Sequence, residues 1–83
     1  MMAQPRIFAH DAVAVTKSDT VNIPNTETRG CCLYVGGLGD IKVTLESGNE
    51  ATFIGVVAGS FLPVLVVRVW DNGTTASNIL ALY

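Results

Sequence analysis

The residues best equipped for chemistry are two adjacent thiols, Cys31 and Cys32, and a single imidazole, His10. Neighbours on an extended strand point to opposite faces, and a disulfide between them would close a strained ring outside ordinary disulfide geometry. They read as two reduced, small, apolar side chains of a packed strand. Two thiols and one imidazole also fall short of the four ligands of a structural zinc site, with the wrong spacing for one. Neither a metal nor a cofactor is expected. A Ser-His-Asp arrangement would have to recruit His10, and no serine lies on a nucleophile-elbow pattern. The stretch Gly36-Gly37-Leu38-Gly39-Asp40 is similar to part of a phosphate-binding glycine loop. Such a loop leads into a helix N-terminus, whereas this one leads into an alternating segment, so its glycines read as turn residues. Asp40, Glu46 and Glu50 lack a calcium-loop spacing and read as solvated turn carboxylates. Asn72-Gly73-Thr74 formally matches an N-glycosylation acceptor, but nothing marks the chain for secretion. Trp70, Tyr34 and Tyr83 are either a carbohydrate-binding platform or the ordinary aromatics of a small core or interface. No catalytic set emerges, and the chain is not expected to be an enzyme.

The bulk numbers point outward from the chain. Its 83 residues make one domain, and a domain of this size buries a modest fraction of its surface. Yet 49% of the residues are hydrophobic and 14% charged, against about 25% charged in typical soluble domains. The simplest reconciliation is that part of the surface sits against another subunit or protein. Net charge is −2 and the pI about 5.0. The basic residues Arg6, Lys17, Arg29, Lys42 and Arg68 are scattered, which argues against a nucleic-acid partner and a membrane-surface patch. The N-terminus lacks the apolar core of a secretory signal. Residues 51–67 carry no charge, near the lower length limit for a membrane helix. Gly55, Gly59, Ser60 and Pro63 interrupt that run, and its valines favour strand, so no membrane span is expected.

The elements that must position these residues are strands. Residues 1–11 have no period of either kind and read as an extended N-terminal arm, with Ile7 and Phe8 as candidate anchors. Residues 12–83 read as a single β-barrel or sandwich domain. Residues 12–17 alternate like a first strand. Residues 18–28 form a polar connection around Pro24, in which Val21 and Ile23 allow a short edge strand. Residues 29–35, 40–46 and 50–57 follow as strands, separated by glycine turns. In the second of these, Ile41, Val43 and Leu45 face inward, and Lys42, Thr44 and Glu46 face out. Residues 61–70 come next, and after the Asn72-Gly73 turn residues 77–83 form the last strand. Turns every 8 to 12 residues and no helical period indicate an all-β fold: a small antiparallel six-stranded barrel or sandwich. Strands joined by short turns are expected to be neighbours.

The strand over residues 61–70 is apolar on both faces. Leu62, Val64, Val66 and Trp70 share one face; Phe61, Leu65, Val67 and Val69 share the other. Pro63 demands an edge or a bulge, and a one-residue bulge there would shift which residues face inward. With no helix to cover the second face, Phe61, Leu65, Val67 and Val69, together with Ile7 and Phe8, are the candidate oligomer or capsid-interface residues.

The capsid enters through a resemblance. The segment from Arg29 to Tyr83 resembles small phage head accessory proteins, including the head spike base proteins of gene transfer agents and related tailed phages. The motifs carrying it are Leu33 to Gly36 (LYVG), Asp40 to Leu45 (DIKVTL), Thr52-Phe53, Leu62 to Val64 (LPV), Gly73 to Ala76 (GTTA) and Asn78 to Tyr83. The stretch DAVAVTKSDTVNIP is similar to the family's opening strand and turn. The Cys31-Cys32 pair departs from the family pattern, which favours a small or apolar residue there. The resemblance implies a non-catalytic virion protein on the outer capsid surface. That protein would be a homo-oligomer, a trimer before a pentamer, bound to the major capsid protein. It implies a cement or decoration protein that clamps capsid subunits, or else a vertex-bound base for a spike or fibre protein.

Overall fold

The computed structural model describes residues 11–27 and 29–83. They form six strands: β1 (Ala12–Ala14), β2 (Cys31–Val35), β3 (Gly39–Leu45), β4 (Glu50–Val56), β5 (Ser60–Val69) and β6 (Ile79–Leu82). All pair antiparallel in one sheet of order β1-β6-β2-β5-β3-β4. The all-β expectation holds. Ile7, Phe8 and the rest of residues 1–10 lie outside the described residues.

The neighbour expectation holds for one pair. β3 and β4 form a hairpin about the Glu46–Asn49 turn, but β5 separates β2 from β3 and is itself not bonded to β4. The short connection 36–38 is therefore a corner, not a hairpin turn. β2 runs along β6 from Cys32 opposite Leu82 to Val35 opposite Ile79. The line continues past the corner: the Gly36 amide donates to the Asn78 carbonyl (3.0 Å), and the Thr75 amide donates to the Asp40 carbonyl (2.8 Å). Residues 32–42 are thus one bent line lying against residues 74–82. The threonines complete the closure, because Thr75 Oγ1 accepts from the Asp40 amide (2.9 Å) and Thr74 Oγ1 from the Lys42 amide (3.0 Å).

This corner needs glycine for closeness more than for unusual dihedrals. Among Gly36, Gly37 and Gly39, only Gly39 has a positive φ, 156°, close to extended. A Cβ on Gly39 would lie 2.5 Å from the Ala76 nitrogen, and one on Gly36 2.9 Å from the Asn78 carbonyl oxygen. A φ in the left-handed region is found at the turn glycines Gly48, Gly59 and Gly73, and also inside β4 at Gly55 (68°). There the register against β3 slips by one residue and the Asp40 carboxylate accepts the Gly55 amide (2.9 Å). A glycine in the left-handed region is what such a bulge uses.

β5 serves both halves of the sheet. Its first half pairs β2, from Val35 opposite Ser60 to Cys31 opposite Val66; its second half pairs β3, from Leu45 opposite Val66 to Val43 opposite Val69. Two register slips make this possible. Between Leu62 and Val66, around Pro63, β5 carries two more residues than β2, which preserves the inward parity. Between Val66 and Arg68 it carries one more than β3, which reverses it. Val66 and Val69 are accordingly both buried. The free edge of the second half is taken by the 18–23 connection. Its Ser18 and Ile23 amides donate to the Val69 and Val67 carbonyls, so the expected edge segment is present as a strap. Arg68 pins the strap through Nε to Asn22 Oδ1 (2.9 Å) and its other nitrogens to the Asp19 and Thr20 carbonyls.

The core lies inside the curl. Leu33, Val35, Ile41, Val43, Val66 and Val69 are its largest fully buried members, with Cys31, Ile23, Ile79 and Ala81 beside them. The Cys31 thiol points at the Val66 carbonyl (3.5 Å). Burial, with the neighbouring Cys32 adding to it, pushes the Cys31 thiol up to about 11.

Two predictions follow from this packing. Gly39→Ala should cost about 3 kcal/mol or more, since the backbone of Ala76 blocks the new methyl and neither segment can retreat. Gly48→Ala, at a positive φ of 97° but facing open space, should cost about 1 kcal/mol; urea titrations of both variants compare them. The second concerns pH. The folded state favours the neutral Cys31 thiol more than the unfolded state does, so its contribution is fully present below about pH 9 and is lost as pH rises toward 11. Stability should fall over that window by on the order of 2 kcal/mol. Cys31→Val should flatten most of the slope. Tyr83, whose phenol is raised by burial and then by Cys31, Asp11 and Glu27, adds a smaller loss of the same sign.

Candidate interaction surface

The outer side of the curl divides by polarity. Over β3, the Glu50–Thr52 part of β4 and the second half of β5 it is polar, while Ile54 further along β4 is exposed. Lys42, Thr44, Glu50, Thr52, Arg68 and Trp70 lie together there, Lys42 opposite Thr52 and Thr44 opposite both Glu50 and Arg68. The Trp70 indole N–H donates to Thr44 Oγ1 (2.9 Å), and the Lys42 and Arg68 cations sit 4.6 and 5.3 Å from its ring centroid. Tyr34 lies in a different row, and the Tyr83 hydroxyl donates to the Pro24 carbonyl. The three aromatics therefore do not share one platform, and the ring of Trp70 is already engaged by the chain's own cations.

Over β1, β6, β2 and the first half of β5 the outer side is apolar. Register places Ala14, Leu80, Tyr34 and Phe61 in one cross-strand row, and Ala12, Leu82 and Cys32 in the next. Phe61 is 55% exposed and Tyr34 38%. Leu65 completes this side, half-buried where Gly30 lies against it with space for no Cβ. No charged side chain belongs to either row.

The sequence candidates divide accordingly. Phe61 and Leu65 are on the apolar outer side. Val69 is not: it is 1% exposed and belongs to the chain's own core, because the one-residue slip after Val66 turns it inward. Val67 sits in that slip, half-buried, its carbonyl accepting from Ile23. Sequence reading missed Leu80 and Leu82, since a short terminal strand gives no alternation to judge, and it missed the exposed side chains of Leu38, Ile54 and Val57. The uncharged run 51–67 was the available signal for the latter two.

The residues suspected of chemistry are otherwise engaged. Asp40 holds Gly55, Glu46 accepts the Gly30 amide (2.6 Å), and Glu50 faces Lys42 at 3.9 Å on the surface. Gly36–Gly39 leads into strand β3. Among the described residues no three His, Cys, Asp or Glu side chains cluster to hold a metal ion, and every buried side-chain polar atom has a partner. No helix among them is long and apolar enough to cross a membrane. His10 lies outside the described residues.

No protein-family model matches the sequence, and no curated protein does. Among solved structures the chain is similar to a chain of the capsid of a native GTA particle, computed with C5 symmetry. The two share 32% sequence identity at a TM-score of 0.76, over 90% of this chain and 83% of that one. Identity at that level over nearly the whole of both chains goes beyond a shared fold, and the protein belongs to the family of this gene transfer agent capsid chain.

Proposed function

We propose that the protein is a structural component of a phage-type virion, held on the outer surface of the capsid as a homo-oligomer. The observation that carries this reading is the similarity, over nearly the full chain, to a protein that stands in a particle's capsid. The uncharged outer side of β1, β6, β2 and β5 supports the oligomer. Phe61 and Tyr34 are large exposed apolar groups at its centre, the kind of residue that anchors protein interfaces. A trimer is the first expectation and a pentamer the second. Its role is that of a cement or decoration protein clamping neighbouring subunits of the major capsid protein. The alternative is a vertex-bound base carrying a spike or fibre protein. A carbohydrate-binding module is a weaker reading, because Trp70 is covered by Lys42 and Arg68.

The deciding experiment is the copy number of this chain relative to the major capsid protein in purified particles. Near-equal numbers mean cement, a small fraction means a vertex base, and absence from the particle overturns the capsid reading. At the residue level, Phe61→Asp and Leu65→Asp should keep the fold and reduce self-association at least tenfold in sedimentation equilibrium. Val66→Asp, which puts an unpaired charge in the core, should cost more than about 4 kcal/mol and leave no folded protein to assay. Unchanged association in the first two variants would remove this side of the sheet as the subunit contact.

A further inference from the structure

The turn after β5 carries a chemically labile pair. Asn72-Gly73 is the one Asn-Gly step in the chain, since Asn22, Asn25, Asn49 and Asn78 are followed by Ile, Thr, Glu and Ile. An asparagine cyclises when the main-chain nitrogen of the next residue attacks its side-chain carbonyl carbon. A side chain on that next residue crowds the approach, and glycine leaves it open. Ile23, Thr26 and Ile79 are in addition buried, and the Ile23 amide is committed to the Val67 carbonyl. Asn72 and Gly73 are both exposed. Among the described residues neither the Asn72 side chain nor the Gly73 amide has a hydrogen-bond partner. The main chain just before them is held instead, because Asp19 Oδ1 accepts the Asp71 and Asn72 amides (3.0 and 2.9 Å). The glycine is imposed by the fold. Its φ is 101°, and a Cβ would lie 3.2 Å from Cδ and 3.4 Å from Cβ of Lys42, whose ammonium stands 4.6 Å from the Trp70 ring centroid. The turn cannot exchange glycine for a bulkier residue without moving that stem.

We infer that Asn72 is a site of spontaneous deamidation, and that its product loosens the strap 18–23. The Gly73 amide gives its proton to solvent base, and its nitrogen bonds to Asn72 Cγ. The Cγ–Nδ2 bond breaks, and Nδ2 leaves as ammonia with a proton from water. A second water opens the resulting succinimide at either carbonyl. One opening gives aspartate. The other gives isoaspartate, whose main chain runs through the side-chain carbons and is one atom longer. Both products add one negative charge between Asp71 and the Asp19 carboxylate, and like charges oppose each other there. Only isoaspartate also lengthens the turn, and the turn starts and ends on the same residue. The Trp70 amide donates to the Lys42 carbonyl (2.8 Å), and the Lys42 amide donates to Thr74 Oγ1 (3.0 Å). With both ends tied to Lys42, the extra atom displaces the part between them, which is where Asp19 is bonded. The strap then loses its fastening to the 71–72 amides and keeps the one through Arg68. This chemistry does not depend on the capsid reading.

The test incubates purified full-length chain in mildly alkaline buffer, with and without urea. Conversion is followed by peptide mass and by labelling with an isoaspartyl methyltransferase. Residue 72 should convert at least tenfold faster than any other asparagine, and in the folded chain at a rate within tenfold of that in urea. Asn72→Gln, with circular dichroism unchanged, should remove the labelling. In the isoaspartate fraction the Ser18 and Ile23 amides should exchange hydrogen at least tenfold faster than in fresh chain, with Leu33 and Ile41 unchanged. Asn72→Asp, which adds the charge without the extra atom, should give a smaller acceleration. A folded rate below a tenth of the urea rate, or no excess over the other asparagines, overturns the site. Unchanged exchange at Ser18 and Ile23 in the isoaspartate fraction overturns the coupling to the strap, and equal acceleration in Asn72→Asp overturns the part played by the extra atom.

Discussion

The fold depends on one close approach, the backbone of residues 36–39 lying directly against residues 75–78. A sheet without helices has two faces and nothing to lay on either. It can bury a core only by curling until its own strands oppose each other, and curling requires the strands to bend. The β2–β3 line bends where three glycines let it touch the chain entering β6, main chain against main chain. The hydrogen bonds of Asp40, Lys42, Thr74 and Thr75 then close the seam. With a side chain at Gly39 the two lines would separate, and Leu33 and Ile41, on either side of the bend, would no longer share a core.

β5 solves the same problem in the middle of the sheet by a different means. It keeps its hydrogen bonds to β2 and β3 in turn, and absorbs the change of partner in two register slips. An even slip leaves the inward set intact; an odd slip exchanges it. The apparent excess of apolar side chains on this strand is divided that way. Val66 and Val69 go to the core, Phe61 and Leu65 to the outside of the apolar half, and Arg68 and Trp70 to the polar half. The boundary between the two kinds of outer surface therefore falls at the odd slip. The strap 18–23 lies along the same stretch, fastened by Arg68 and by Asp19, which accepts the amides of Asp71 and Asn72 (3.0 and 2.9 Å).

This division explains what could be read in the chain beforehand. Local alternation exposes strands directly, and β3 is the clearest case because Ile41 and Val43 point one way while Lys42 and Thr44 point the other. Which strands pair is a non-local matter. A glycine-rich link of three residues looks the same whether it turns a hairpin or bends a continuing line, and the residues that decide it, Ala76 to Asn78, lie far along the sequence. Val69 lies on the face opposite to the one that alternation along residues 61–70 gives it, for a related reason. Parity counted from Phe61 holds as far as Val66, and nothing in Val66-Val67-Arg68 marks the extra residue.

The use of charge gives the last link between fold and assembly. Arg68, Asp19, Asp40 and Glu46 all bind backbone groups, so they fasten the strap, the bulge and the start of β2. Such charges act as structural ties, and few remain to cover the apolar half. Adding charge at its exposed positions, such as Phe61, would make the free chain more soluble at little cost to the fold, whereas Cys32, Leu65, Leu80 and Leu82 are half-buried. A partner that covers this half binds the folded chain and not the unfolded one, so its binding free energy adds to the stability of the fold.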